Sequence, residues 1–228
     1  MRVIFIHGAG NTGLVWHYQT EYFSNSEAIS LPGHPAGKPC ASIDDYADWL
    51  HQYVLDKNYS QPVLVGHSMG GAVAQVYALK YPADVRGIVL IGTGARLRVR
   101  PDFLSLLEAA IGAPAELVKS FLEPFYSRVA PEVREKVINK ALEVDPAVRL
   151  NDFRCCDKFD ILEKVQEISV PTLVICGNDD EMTPVKYSQY LAAKIRGAKL
   201  AIFEGTHFVF MESPEKVNQA IEEFLHCL

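Results

Sequence analysis

Short apolar runs recur along the chain, and glycine or proline bounds most of them. The runs are Val3 to Ile6, Ala28 to Leu31, Pro62 to Val65, Ile88 to Ile91, Thr172 to Cys176 and Leu200 to Phe203. Because their apolar residues are mostly consecutive and do not alternate with polar ones, the runs predict strands buried on both faces, as in a parallel sheet. We therefore expect a mostly parallel sheet of about six strands.

Helical patterns fill the segments between these runs. Apolar residues recur with helical spacing from Ile43 to Leu55, and a small, apolar segment from Met69 to Lys80 ends just before Pro82. The segment from Ser213 to His226 opens with Ser-Pro-Glu, a cap followed by a first-turn proline. Strands alternating with helices predict a doubly wound α/β fold, in which the chemistry lies at the carboxyl ends of the strands.

One long segment, Ala95 to Ile168, interrupts this alternation. It has no strong strand signal, and its apolar residues recur with helical spacing, as at Phe103, Leu107, Phe121 and Phe125. A chain of 228 residues suffices for one substantial core and is short for two domains. We expect a single domain over residues 1–228 with a helical cap inserted at 95–168.

Composition narrows the partners and the location. The net charge is -6 with both signs interspersed, so no basic face is expected for nucleic acid or anionic lipid. Five cysteines without a CxxC pair favour a reducing cytoplasm. The apolar start is too short for a signal peptide, and no run has the length of a membrane span. We therefore expect a cytoplasmic protein.

The strongest chemical signal is Gly66-His67-Ser68-Met69-Gly70, which lies between a predicted strand and a predicted helix. This context makes the G-x-S-x-G pattern a candidate nucleophile elbow with Ser68 as nucleophile. The elbow would place the Met69 N–H at the positive helix N-terminus, where it can bind an oxyanion. The alternative, a phosphate-binding loop, would carry Gly-Lys-Ser or Gly-Lys-Thr, which does not occur.

A serine nucleophile needs a general base and an acid that orients it. Only two of the seven histidines follow Ser68, and of these His207 comes directly after a predicted strand, while His226 lies at a helix end. The loop after the strand at Thr172 offers Asp179, Asp180 and Glu181 as the acid, and its chemistry alone does not choose among them.

A second oxyanion donor is expected from the loop His7-Gly8-Ala9-Gly10, which follows the first predicted strand. The Ala9 N–H is the candidate donor, with Gly10 as second choice. A plain glycine turn explains this loop equally well when it is considered alone. His7 itself is expected to order the loop.

Taken together, these four segments resemble the α/β-hydrolase superfamily over essentially the whole chain. The resemblance implies that Asp180, four positions before Pro184, is the acid, and that the helical cap follows the family's sixth strand. It also implies that the family's antiparallel N-terminal edge strands are missing here. Ser68 stands where haloalkane dehalogenases and epoxide hydrolases carry an aspartate, which disfavours both of those chemistries.

The sequence thus predicts a serine hydrolase that cleaves a carboxylic ester through an acyl-enzyme, using Ser68, Asp180 and His207 without metal or organic cofactor. The expected substrate is a small, apolar acyl compound. Three alternatives use the same fold: a thioesterase or amidase, a cofactor-free lyase or peroxidase-like enzyme, and a ligand-binding receptor. Arg96, Arg98 and Arg100 form either a solvated face or a contact for an anionic substrate.

Overall fold

The computed structural model describes all 228 residues and contains one six-stranded sheet, all of whose pairings are parallel. The strands are β1 (Val3–Ile6), β2 (Ser26–Ile29), β3 (Val63–His67), β4 (Gly87–Ile91), β5 (Thr172–Gly177) and β6 (Lys199–Phe203). Their order in the sheet is β2-β1-β3-β4-β5-β6. The predicted parallel sheet of about six strands is confirmed. Strands are added toward one edge of the sheet up to β2 and toward the other edge from β3 onward, so a cleft is expected at the carboxyl ends of β1 and β3, where the order switches.

β2 begins and ends two residues earlier than its apolar pattern predicts. Its last pair is Ile29 with Ile6, the final residue of β1, so the ladder has no partner beyond that point. The next two residues bond elsewhere: the Ser30 hydroxyl accepts from Gly13 N at 3.1 Å, and Leu31 N donates to His7 Nε2 at 3.0 Å.

Burial on both faces holds for the central strands and fails at the two edge strands, since only Ile29 of β2 is buried. Every residue of β1, β3, β4 and β5 is buried. In β6 the side chains of Leu200 and Ile202 are 38% and 43% exposed, so the expectation of full burial was wrong there. β6 has a neighbour on one side only, and consecutive apolar residues in an edge strand do not guarantee that both faces are covered.

Ten α-helices surround the sheet. They are α1 (His17–Tyr22), α2 (Ile43–Asp56), α3 (Met69–Lys80), α4 (Pro101–Ala109), α5 (Ala115–Leu122), α6 (Pro131–Leu142), α7 (Pro146–Lys158), α8 (Val185–Lys194), α9 (Val209–Glu212) and α10 (Pro214–His226). The three helices predicted at residues 43, 69 and 213 are present with ends within one residue. None of the ten is long and apolar enough to cross a membrane.

Two apolar cores lie on opposite faces of the sheet. Leu50 of α2 and Val73 of α3 belong to the larger core, whereas Phe224 of α10 belongs to the smaller one with Trp16. Successive residues of one strand divide between them, as Ile4 and Phe5 do, because side chains alternate across a sheet. The consecutive apolar runs therefore supply both cores at once.

Helices α4 to α7, called here the inserted helices, lie between β4 and β5. Two hydrogen bonds join the ends of this segment: Ile161 N donates to Ala95 O at 2.8 Å, and Leu97 N donates to Phe159 O at 3.3 Å. Aromatic side chains of the inserted helices contact one another, with 5.7 Å between the ring centres of Phe103 and Phe121. These aromatic groups face the carboxyl end of the sheet, where the cavity described below is found.

Candidate active site

Ser68 lies at a sharp turn between β3 and α3. Its backbone has φ 53° and ψ −114°, a conformation that a residue with a side chain rarely adopts and that costs about 1–3 kcal/mol. Glycine is required on both sides of the turn: a Cβ on Gly66 would lie 2.2 Å from Gly70 O, and one on Gly70 would lie 2.3 Å from Ile6 O. The strand-turn-helix context predicted for Ser68 is therefore present.

Two hydrogen bonds, one to β4 and one to the loop after it, hold this turn in place. Ser68 N donates to Ile91 O at 2.9 Å, and the Thr93 hydroxyl donates to Ser68 O at 2.9 Å. The same turn starts α3, so the N–H of Met69 has no preceding helical carbonyl to which it can donate. It is available to a ligand at the positive end of the helix.

The loop after β1 packs directly against the turn. A Cβ on Gly8 would lie 2.9 Å from His67 Nδ1 and 3.1 Å from the Cβ of Ser68, so a side chain at this position would displace the turn. Gly10 N donates to Asp152 Oδ2 at 2.8 Å, whereas Ala9 N makes no backbone hydrogen bond. Of the two donors that the sequence offered, the Gly10 N–H is therefore already occupied.

His207 lies in the loop after β6 and contacts one of the three candidate carboxylates. Its Nδ1 is 2.8 Å from Asp180 Oδ2, and both side chains are buried. Asp179 is exposed and pairs instead with Arg128 at 2.9 Å, and Glu181 is also exposed. Only Asp180 is placed to orient the imidazole.

Asp180 is held ionised by its neighbours. Burial alone would raise its pKa, but the nearby His207 and hydrogen bonds from His207 and Thr183 outweigh that effect and lower the pKa below the usual value. Oδ1 accepts from Met182 N at 2.9 Å and from Thr183 N at 2.8 Å, while the Thr183 hydroxyl donates to Oδ2 at 2.8 Å. These donors stabilise the carboxylate and fix its direction.

Ser68 and His207 line two adjoining spaces. The inner cavity has a volume of about 40 Å³ and is bounded by Gly8, Ala9, Asn11 and Arg149 together with six aromatic side chains, Phe103, Phe121, Phe125, Tyr126, Phe153 and Phe208. The outer groove has a volume of about 530 Å³ and is lined by Leu97, Val99, Leu106, Met182 and Tyr187, with Arg98, Arg100 and Lys186 among its charged residues. A substrate centred at Ser68 has one small and one large space to fill.

The three arginines after β4 are exposed and paired. Arg96 and Arg98 lie 3.6 and 3.5 Å from Asp160, and Arg100 pairs with Asp102. Arg98 and Arg100 also line the outer groove. The arginines thus form a solvated face that borders the groove, and their contact with an anionic substrate stays a prediction.

The buried carboxylate of Asp152, on α7, is a central residue that the sequence analysis missed. Besides Gly10 N, it is 2.7 Å from His34 Nε2 and 3.0 Å from the Tyr46 hydroxyl that donates to it, and its side chain has no exposure. Four separate segments of the chain meet at this carboxylate. In the sequence, Asp152 is marked only by its place between Leu150 and Cys155 on the buried side of a helix. A buried acid there indicates a paired charge, but the signal is weak.

Arg149 on the same helix was also missed. Its side chain is only 4% exposed and lines the inner cavity. Burial lowers its pKa, and the charges of Tyr126 and Asp152 oppose that change. An arginine guanidinium is not deprotonated in proteins, so Arg149 keeps its positive charge.

Comparison with known proteins assigns the chain to a family. The family model described as "Alpha/beta hydrolase family" matches residues 3–220. The chain belongs to the alpha/beta hydrolase family. A solved thermophilic esterase is 34% identical, with a TM-score of 0.82 over 98% of this chain and 89% of that one.

Two curated relatives have related sequences. Monoacylglycerol lipase abhd6-A of Xenopus laevis is 27% identical over 99% of this chain and 75% of its own length. Human protein ABHD8 is 29% identical over 98% of this chain, which spans 54% of that protein. These family members include lipases and esterases, so hydrolase activity is the activity that the family assignment supports.

Proposed function

We propose that this protein is a serine hydrolase that cleaves carboxylic esters, with Ser68 as nucleophile, His207 as general base and Asp180 as the orienting acid. The observation that carries the proposal is the 2.8 Å bond between His207 Nδ1 and Asp180 Oδ2 beside a cavity that Ser68 and His207 both line. The strained turn at Ser68 supports it, since such strain is characteristic of functional sites.

In this proposal, the contact with Asp180 determines which nitrogen of His207 takes the proton of Ser68. An ionised Asp180 accepts the Nδ1–H, which leaves the lone pair of Nε2 free to take a proton. Ser68 Oγ attacks the carbonyl carbon as its proton moves to Nε2. The imidazolium then returns this proton to the leaving alcohol as the ester C–O bond breaks, and water repeats the two steps on the acyl-enzyme.

The oxyanion of each tetrahedral intermediate would be bound by the N–H groups of Ala9 and Met69. Gly10 is the weaker candidate because its N–H already donates to a buried carboxylate, that of Asp152. A missing oxyanion donor typically costs about 3 kcal/mol of transition-state stabilisation, so this pair accounts for a large share of the expected catalysis.

The inserted helices, within the cap predicted at residues 95–168, are proposed to select the substrate. They supply most of the aromatic wall of the inner cavity and part of the outer groove. Such walls favour a small acyl compound with apolar groups.

A fluorophosphonate probe and a series of p-nitrophenyl esters of increasing acyl length test the proposal. We expect wild type to take up one phosphonate and to hydrolyse the short esters. Ser68→Ala should lose labelling and about 10⁴-fold or more in kcat. Ser120→Ala, at an exposed serine of α5, is the matched control and should behave as wild type.

Three results would contradict the proposed function. Labelling that persists in Ser68→Ala would place the nucleophile elsewhere. A correctly folded wild type that is not labelled and hydrolyses no ester would refute the esterase proposal. Turnover of a thioester or amide series alone would show a thioesterase or amidase that uses the same residues.

A further inference from the structure

The inner cavity contains one buried cation that the proposed mechanism does not use. Arg149 is the only lysine or arginine in its wall, and its side chain is 4% exposed. Its single hydrogen bond to protein runs from Nη2 to Ala141 O at 2.8 Å. Nε is buried without any partner, and no carboxylate lies within the 4.0 Å of an ion pair.

The nearest acid on the helix, Asp152, does not pair with this arginine. Its two oxygens accept from Gly10 N, His34 and Tyr46, so its hydrogen-bonding capacity is directed away from Arg149. The hydroxyl of Tyr126, which also borders the cavity, donates to Asn11. The positive charge of Arg149 is therefore left facing a space bounded mainly by aromatic rings.

An unpaired buried charge is costly, because water is removed and no protein group replaces it. The position of the Arg149 guanidinium is also well defined. Nη1 of Arg149 would lie 2.9 Å from a Cβ placed on Gly10. The guanidinium therefore packs against the loop that follows β1. In surroundings with so little water, a charge of opposite sign would be bound much more strongly than at the surface.

Size limits the group that can enter. A volume of about 40 Å³ accommodates about three water molecules, which is close to the volume of a carboxylate with one methylene group. A guanidinium offers donors in the planar arrangement that matches the two oxygens of a carboxylate.

We infer that the inner cavity is a carboxylate subsite, and that the substrate is an ester bearing a carboxylate a few bonds from the scissile carbonyl, paired with Arg149. This inference rests on the proposed esterase function and specifies its substrate class. The half-ester of a short dicarboxylic acid has this chemistry, with its alcohol portion in the outer groove.

The test compares two esters that differ only in charge. Monomethyl succinate carries the carboxylate, and methyl succinamate replaces it with a neutral amide of the same shape; acid release is followed in a pH-stat. We expect kcat/KM to be about 100-fold higher for the charged ester in wild type. Acetoxyacetate against acetoxyacetamide asks the same question with the carboxylate on the alcohol side.

Variants assign the preference to one side chain. Arg149→Met should reduce the charged-to-neutral ratio to about one, and Arg149→Lys should give an intermediate ratio because a single ammonium cannot make the paired contact. Arg96→Met, the same substitution at an exposed arginine, should leave the ratio as in wild type. Thermal unfolding of each variant checks that it folds.

The wild-type comparison remains decisive even where Arg149→Met does not fold. Free succinate should then inhibit the hydrolysis of p-nitrophenyl acetate competitively, and succinamide should not. Equal turnover of the charged and neutral esters on both the acyl and alcohol sides would overturn the carboxylate subsite and leave the esterase intact. Absence of turnover with every ester would overturn both proposals.

Discussion

The buried imidazole of His7 should make the stability of the fold depend on pH. Its Nε2 accepts from Leu31 N at 3.0 Å, and Nδ1 lies 2.8 Å from Gly8 O, so only a ring that is neutral and carries its proton on Nδ1 satisfies both contacts. Burial first, and then the neighbouring His34, lower its pKa from 6.5 to about 3, although the bond to Gly8 opposes this change.

This shift fixes the sign and the size of the effect. The unfolded chain takes up a proton on His7 as the pH falls through about 6.5, whereas the folded protein takes it up only near about 3. The stability contribution is therefore complete above the unfolded pKa and is lost as the pH falls between these two values. Integrated over this window, the loss from about pH 7 to about pH 5 is about 2 kcal/mol.

His7→Gln isolates this contribution, because the glutamine amide can accept from Leu31 N and does not titrate. Urea unfolding followed by the fluorescence of buried Trp16 gives the free energy of unfolding of both proteins at each pH. The other titrating groups are present in both proteins, so their effects cancel in the difference. We expect the advantage of wild type over His7→Gln to shrink by about 2 kcal/mol from about pH 7 to about pH 5.

His226→Gln is the matched control, since this residue is exposed at the end of α10 and meets water in both states. Its free energy of unfolding should follow that of wild type. A wild-type advantage over His7→Gln that is independent of pH, or that grows on acidification, would refute the assignment of a neutral buried ring.

Two further predictions concern the buried carboxylates. Asp180→Asn should keep the fold and lower kcat by about 10⁴-fold, because an amide no longer imposes the required tautomer on His207; kcat near the wild-type value in an ester assay would contradict the role proposed for it. Asp152→Asn leaves one of three buried donors without an acceptor. It should lower the free energy of unfolding, measured by urea unfolding, by about 2 kcal/mol. It should also lower kcat, because the loop that contains Gly10 loses its support. Tyr46→Phe, which removes one donor only, should cost about 1 kcal/mol, and equal stability of Asp152→Asn and wild type would exclude this network as a support of the loop.

The fold was largely predictable because its signals are local. Consecutive apolar residues in the central strands report burial on both faces, and glycines on both sides of Ser68 report a turn that no side chain would permit. The resemblance to a known family added the choice of Asp180, which the three adjacent acids could not provide by their chemistry. Where a strand ends depends on its partner, and so the bounds of β2 were displaced.

The sequence by itself determined the order of strands and helices, the turn that carries Ser68, and the loops that hold the candidate base and acid. Only the tertiary structure decided what lies against them: Gly10 and Asp152 bond across 142 residues of chain, and Arg149 comes from the inserted helices to the wall of the same cavity. Backbone preferences act between neighbouring residues and can be read from a pattern. The pairing of a buried charge is set by distance in space, and no periodicity along the chain records it.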